Sequence, residues 1–190
     1  LDRTLKFVTT MTPASAADIE TQLVLKGFTK SRFHLEGLLR TAQILGYETS
    51  FEMVGSTRLV TALGYGRILS CAISLAKKSV GSRGVTTVSD VAAQVTEKLG
   101  TEVAPDAIKN VLLIQEGFQW LDESAGWFWF SSVPRNRLLN QIRKILSVVP
   151  RIRVSELRDG VGRHHRMEGF APPKRVLLEL CHRVPEYRVD

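Results

Sequence analysis

At 190 residues the chain has room for one or two ordinary domains or three small ones, and its 44% hydrophobic and 24% charged residues are the proportions of a globular protein. No run of 18 apolar residues occurs, which excludes a membrane-spanning helix. The net charge of +7 is confined to one end: residues 1–129 hold 13 Lys and Arg against 13 Asp and Glu, whereas residues 130–190 hold 13 against 6. An anionic partner is therefore expected at the C-terminal end, with a solvated basic face as the plain alternative.

In chain order, Leu5, Phe7 and Val8 open on an apolar helix or strand. Ser15 is placed to cap a helix over Ala16 to Leu25 that Gly27 ends, and Thr29 to cap a second over Lys30 to Leu45 that Gly46 ends. In that second helix Phe33, Leu35, Leu38, Leu39, Ala42 and Leu45 follow a 3.6-residue period. Tyr47 to Val54 and Arg58 to Leu63 then flank Gly55-Ser56-Thr57 as a hairpin.

From Tyr65 a long apolar face runs through Ile68, Leu69, Ala72, Ile73, Leu75 and Ala76 to Lys78, and Gly81-Ser82-Arg83-Gly84 reads as a loop. Thr86 or Thr87 adds a short strand, Ser89 caps a helix over Asp90 to Leu99, and Gly100 ends it. Pro105 stands in the first turn of the next helix, whose apolar stretch Ala107 to Gln115 stops at Gly117. Phe118–Leu121 and Trp127–Phe130 follow, alternating around the turn Asp122-Glu123-Ser124-Ala125-Gly126, as a hairpin with one buried face.

Pro134 reads as another helix start. Leu138, Leu139, Ile142, Ile145 and Leu146 form the apolar face, with Arg135, Arg137, Arg143 and Lys144 on the others, and Pro150 as the stop. Ile152 and Val154 read as a short strand, Ser155 as the cap of a helix through about His164, and Glu168 to Ala171 as a turn into a helix from Lys174 to about His182. Tyr187 to Asp190 reads as the start of a strand. The chain also lacks an initial Met, so it has the look of a fragment, and a missing signal peptide says little.

A small residue, an acid and an apolar residue open a helix at Ala17-Asp18-Ile19, Ser89-Asp90-Val91 and Ser155-Glu156-Leu157, 72 and 66 positions apart. The order of elements around them, helix, helix, helix, hairpin, with a short strand before the second helix, resembles the winged helix-turn-helix superfamily. The likeness is carried by Ser89–Phe130, Pro134–Asp190 and Ser15–Leu63, essentially the whole chain. It implies a mainly α fold with short β-hairpins (α+β) in tandem winged-helix domains: residues 1–64, 65–132 and 133–190, the last with an incomplete wing.

In that superfamily the third helix of each unit usually enters the major groove of DNA. The resemblance therefore implies DNA contacts at Lys30, Ser31, Arg32 and His34 in the first unit and at Lys174 and Arg175 in the third. The dense basic run Arg151, Arg153, Arg158, Arg163, His164, His165 and Arg166 is expected to extend that patch, each phosphate contact making binding depend on salt. The second unit departs from the pattern. Its candidates, Asp106, Lys109 and Asn110, are mixed in charge, and Asp122 and Glu123 at its wing tip repel phosphate.

Other chemistry finds little footing. Cys71 and Cys181 stand alone in apolar helical patterns and read as reduced core thiols, as in a cytosolic protein. The pair His164-His165 lacks the three or four convergent ligands a metal needs, and neither GxSxG nor GxxxxGK[ST] occurs. No cofactor is expected. Trp127 and Trp129 are the aromatics expected outside their own core, as a domain or protein contact.

The expected function is a non-enzymatic DNA-binding protein acting in transcription regulation or another DNA transaction. Its compartment would be the cytoplasm (nucleoid) of a bacterium or the nucleus of a eukaryote. Two alternatives stay open: a protein-interaction scaffold docking onto a larger complex, and the DNA-recognition part of a nuclease or modifying enzyme whose catalytic domain lies outside this chain.

Overall fold

The computed structural model describes residues 1–30, 34–54 and 58–189. Among these the chain is α+β, with nine α-helices and two antiparallel three-stranded sheets. It divides into two compact units, Leu1–Ile73 with Asp106–Gln115, and Ser74–Pro105 with Glu116–Asp190.

The first unit runs α1 (Asp2–Met11), β1 (Ala14–Ser15), α2 (Ala16–Leu25), α3 (Leu35–Ile44), β2 (Phe51–Val54) and β3 (Leu59–Ala62). It also takes the start of α4 (Gly66–Arg83) and nearly all of α6 (Pro105–Leu113). Ser15 caps α2 as its position implies: its Oγ accepts the Asp18 N–H at 3.1 Å and donates to the Asp18 carboxylate at 2.7 Å. The stripe Ala16, Ile19, Leu23 falls on one helical face and is buried with Leu5 and Val8 of α1, Leu35 and Ala42 of α3, and Phe51 and Val60 of the sheet. Each fully buried Ile or Leu there contributes about 1.5–3 kcal/mol. β1 joins the hairpin at its edge in the order β1-β3-β2, with Ala14 opposite Val60.

The helix expected from Lys30 begins at Leu35 instead. A carboxylate from α2 takes over the capping: Glu20 Oε1 accepts the Leu35 N–H at 2.8 Å, while the Thr29 hydroxyl is buried with no hydrogen-bond partner among the described residues. A second acid serves α4 in the same way, Glu52 Oε1 accepting the Gly66 N–H at 2.7 Å.

The second unit holds the rest of α4, β4 (Thr86–Thr87), α5 (Val88–Leu99), β5 (Phe118–Asp122), β6 (Trp127–Phe130), α7 (Arg137–Val148), α8 (Val154–Arg163), a 3-10 turn at His165–Met167 and α9 (Lys174–Arg183). The expected loop at Gly81–Gly84 is helical through Arg83. A Cβ at Gly81 would lie 3.4 Å from the Arg135 carbonyl, so the bare glycine lets α4 run close to that backbone, and the helix ends only at Gly84, where φ is +90°. The cap of α5 is Thr87 rather than Ser89, its Oγ1 accepting the Asp90 N–H at 3.0 Å.

The second sheet repeats the order of the first, β4-β6-β5, with Phe118 opposite Phe130 and Trp120 opposite Phe128. One face is a cluster of rings: Phe118 stacks on Phe128 at 5.2 Å, and Trp120 meets Phe118 edge-on at 4.8 Å. The other face is covered too. Trp129 is buried and donates its indole N–H to Gln119 Oε1 at 3.3 Å, so it is not a surface contact, and Trp127 is half-buried.

α7 starts after Asn136, not at Pro134. The Asn136 Oδ1 accepts the Leu139 N–H at 3.0 Å while its Nδ2 donates to the Gly84 carbonyl at 2.9 Å, joining the end of α4 to the start of α7. Ile152 and Val154 form no strand. Val154 is already helical, because Glu156 Oε2 accepts the Arg153 N–H at 3.2 Å and starts α8 a residue before Ser155. α8 packs on α7 and α9, and α9 packs on β5. No strand follows β6 among the described residues. Tyr187–Val189 is irregular, and Asp190 lies outside them.

Candidate nucleic-acid interface

In the first unit, Lys30 and His34 are exposed on the segment leading to α3, with His34 as its N-cap residue, while Ser31 and Arg32 lie outside the described residues. The basic run of the second unit is split by the structure into three settings. Arg151 and Arg153 are exposed on the α7–α8 connection, at the rim of a cavity of about 640 Å³ whose apolar wall includes Leu146, Ile152, Leu157 and Leu178. Arg158 is half-buried and structural: its Nε donates to the Pro172 carbonyl at 2.9 Å, tying α8 to the segment before α9.

Arg163, His165 and Arg166 are exposed where α8 passes into the 3-10 turn. His164 caps that turn, its Nδ1 accepting the Arg166 N–H at 3.2 Å, and its ring stacks on His165 at 4.6 Å. Desolvation, followed by the nearby charges of His165, Lys144 and Arg166, holds the His164 pKa below its ordinary 6.5. An imidazole that must accept a hydrogen bond is suited to staying neutral, and protonating Nδ1 removes the acceptor.

Lys174 and Arg175 are both exposed on the first turn of α9, where the helix dipole favours anions. Arg175 already faces one. Its Nη1 lies 3.7 Å from Oδ2 of Asp122, on the hairpin that α9 packs against. Asp122 also accepts the Ser124 hydroxyl at 2.6 Å and the Ala125 N–H at 3.3 Å. The Ser124 hydrogen bond is the largest of the effects that keep this carboxyl below its ordinary 3.8. The acid expected to repel phosphate at the hairpin tip thus partners an arginine expected to bind it.

No role was expected of the cations in and just before α7, yet the structure gathers them. Arg135, Arg137, Arg143, Lys144 and Arg166 line one open cleft of about 630 Å³, floored by Gly81, Ser82 and Gln141, with no carboxylate in its lining. Arg143 is held by both oxygens of Glu186, at 2.9 and 3.0 Å. Arg137 donates from Nη1 to the Arg166 carbonyl at 2.8 Å. The signal available in the sequence was the spacing of Arg137 and Lys144, two turns apart on the polar side of a strongly amphipathic helix.

Among the described residues no three His, Cys, Asp or Glu side chains converge as metal ligands, and no helix is long and apolar enough to cross a membrane. Comparison with protein-family models, with curated protein sequences and with solved structures finds no match to this chain.

Proposed function

We propose that this chain is a non-enzymatic DNA-binding protein built from tandem winged helices, which holds duplex DNA chiefly through residues 130–190 and acts in transcription regulation or another DNA transaction. The observation that carries the reading is an order of elements occurring twice, α, short β, α, α, β, β, each time with the first strand paired to the third. The basic end supports it further: in residues 130–190 the exposed cations Arg163, His165, Arg166 and Lys174 have no acidic partner among the described residues. The test is fluorescence anisotropy of residues 1–190 with random-sequence duplex and single-stranded DNA at low and physiological salt. Micromolar, salt-sensitive duplex binding supports the reading, and absence of binding at low salt defeats it.

A second reading, a protein-interaction scaffold, is favoured by one observation. Arg175, at the helix start expected to read DNA, is occupied by Asp122. On that reading added salt leaves the main partner bound, and Lys174→Ala with Arg175→Ala changes nothing in DNA affinity.

A further inference from the structure

We infer that the cleft between the last turn of α4, α7 and the 3-10 turn is a seat for adjacent phosphates of a nucleic-acid backbone, and that this seat, rather than the start of α9, anchors the basic unit. The inference rests on the DNA-binding reading and says where and how the phosphates are held.

Three observations carry it. The first is uncompensated charge in a concave place. Arg135, Lys144 and Arg166 line the cleft with no acidic partner among the described residues, and the Glu186 carboxylate is taken by Arg143. Like charges gathered without counter-charge repel one another, and an anion relieves that repulsion. The second is Gln141. It is only 4% exposed, it lines the cleft, and its side-chain amide makes no hydrogen bond to the described residues. Its polar end is open to the cleft rather than sealed in, and a phosphate oxygen there would accept its N–H.

The third is order and continuity. The Arg137 guanidinium is fixed on the Arg166 carbonyl and that of Arg143 on Glu186, so two walls of the cleft are set before any ligand arrives. Lys144 and Arg166 also lie close enough to His164 to act on its charge, which joins the cleft to the exposed His165 and Arg163 as one basic face. By contrast, Arg175 already has a carboxylate beside it, so a phosphate there gains less.

The test compares the full chain with its Arg135→Ala/Lys144→Ala double variant, both exposed positions, in duplex binding across a salt series. Each phosphate contact contributes about 0.9 to the slope of log affinity against log salt. Loss of two contacts lowers the slope by about 1.8 and the affinity at 50 mM salt on the order of 100-fold. The matching loss for Lys174→Ala/Arg175→Ala is smaller. Wild-type binding with an unchanged slope in the cleft variant overturns the seat and leaves the DNA reading standing, whereas no duplex binding by the wild type overturns both. A second measurement needs no variant: acetylation of Lys144 by acetic anhydride, followed by mass spectrometry, slows at least several-fold with duplex bound. Modification at the free-protein rate overturns the seat. Inorganic tripolyphosphate is the companion probe. Protection of Lys144 by tripolyphosphate and not by duplex assigns the cleft to a free polyphosphate and overturns the backbone seat.

Discussion

The junction between α4 and α7 turns on one missing side chain, and Gly84→Ala tests it. Gly84 has φ +90°, and a Cβ there would lie 2.1 Å from Leu138 Cβ, 2.8 Å from Leu138 Cδ2 and 2.9 Å from Asn136 Oδ1. Leu138 is fully buried and cannot swing into solvent, so α7 must move or α4 must unwind. Left-handed backbone in a non-glycine residue costs about 1–2 kcal/mol, overpacking about 1–3, and loss of the Asn136 hydrogen bond to the Gly84 carbonyl about 1 more. The expected destabilisation is about 3–6 kcal/mol. Gly100→Ala is the control: it lies in the same unit with φ +66° and nothing within 4 Å of the added Cβ, so it costs only the backbone share. Trp120, Trp127 and Trp129 are all in the hairpin of this unit, so their fluorescence reports its urea unfolding. With a slope of about 2 kcal/mol per molar urea, Gly84→Ala lowers the midpoint by about 1.5–3 M and Gly100→Ala by less than about 1 M. Midpoints for the two variants within about 0.5 M of each other refute the close-contact argument.

Asn136→Ala removes both the α7 cap and the bond to the Gly84 carbonyl, for an expected loss of about 2–4 kcal/mol in the same assay. Asn136→Asp, which keeps the acceptor and loses the donor, falls between it and the wild type. The depressed pKa of His164 means the unfolded chain binds more protons than the folded one below about pH 6.5, so stability falls as pH drops through and below that value. His164→Asn keeps a capping acceptor without titrating, and its melting temperature should be flatter than the wild type's between pH 7 and 5. Asp122→Asn takes the charge away from Arg175 and should tighten duplex binding by up to about 10-fold at 50 mM salt, measured by anisotropy. Burial pushes the Cys181 thiol up to about 11, so at pH 8 a maleimide labels the half-buried Cys71 of the native chain and spares Cys181 until urea is added.

The helices and the two hairpins were legible because each is announced by its own residues. Ser15 before an i, i+3, i+7 apolar stripe, Gly27, Gly100 and the alternating aromatics of 118–130 need no distant partner to be read. The errors fall where a distant group decided. α3 starts at Leu35 because Glu20, fifteen residues earlier, supplies its cap, and α4 runs on through Gly81 to Arg83, where it passes close to Arg135's backbone. The alternation of Trp127 and Trp129 correctly gives a strand, but burial of the second face depends on what packs there, which periodicity does not encode. The same limit applied to the charges. The sequence located the positive end, but it could not tell that Arg158 is spent on a carbonyl, that Arg175 has a carboxylate opposite it, or that α7's cations share a cleft with Arg166.

The contact between Asp122 and Arg175 gives the basic unit a resident competitor. A carboxylate tethered by the hairpin stands beside that guanidinium at every dilution of the protein, whatever the solution outside contains. A passing monoanion therefore meets an arginine that already has company, and gains little by replacing one negative charge with another. A ligand that brings many charges at once can surrender this one contest and still bind, or win it with the help of its other contacts. On the DNA-binding reading, the pair favours a polyanion over a monoanion at this position, by the small margin of an exposed ion pair. The Ser124 hydrogen bond, by lowering the Asp122 pKa, helps keep that carboxylate charged beside the arginine.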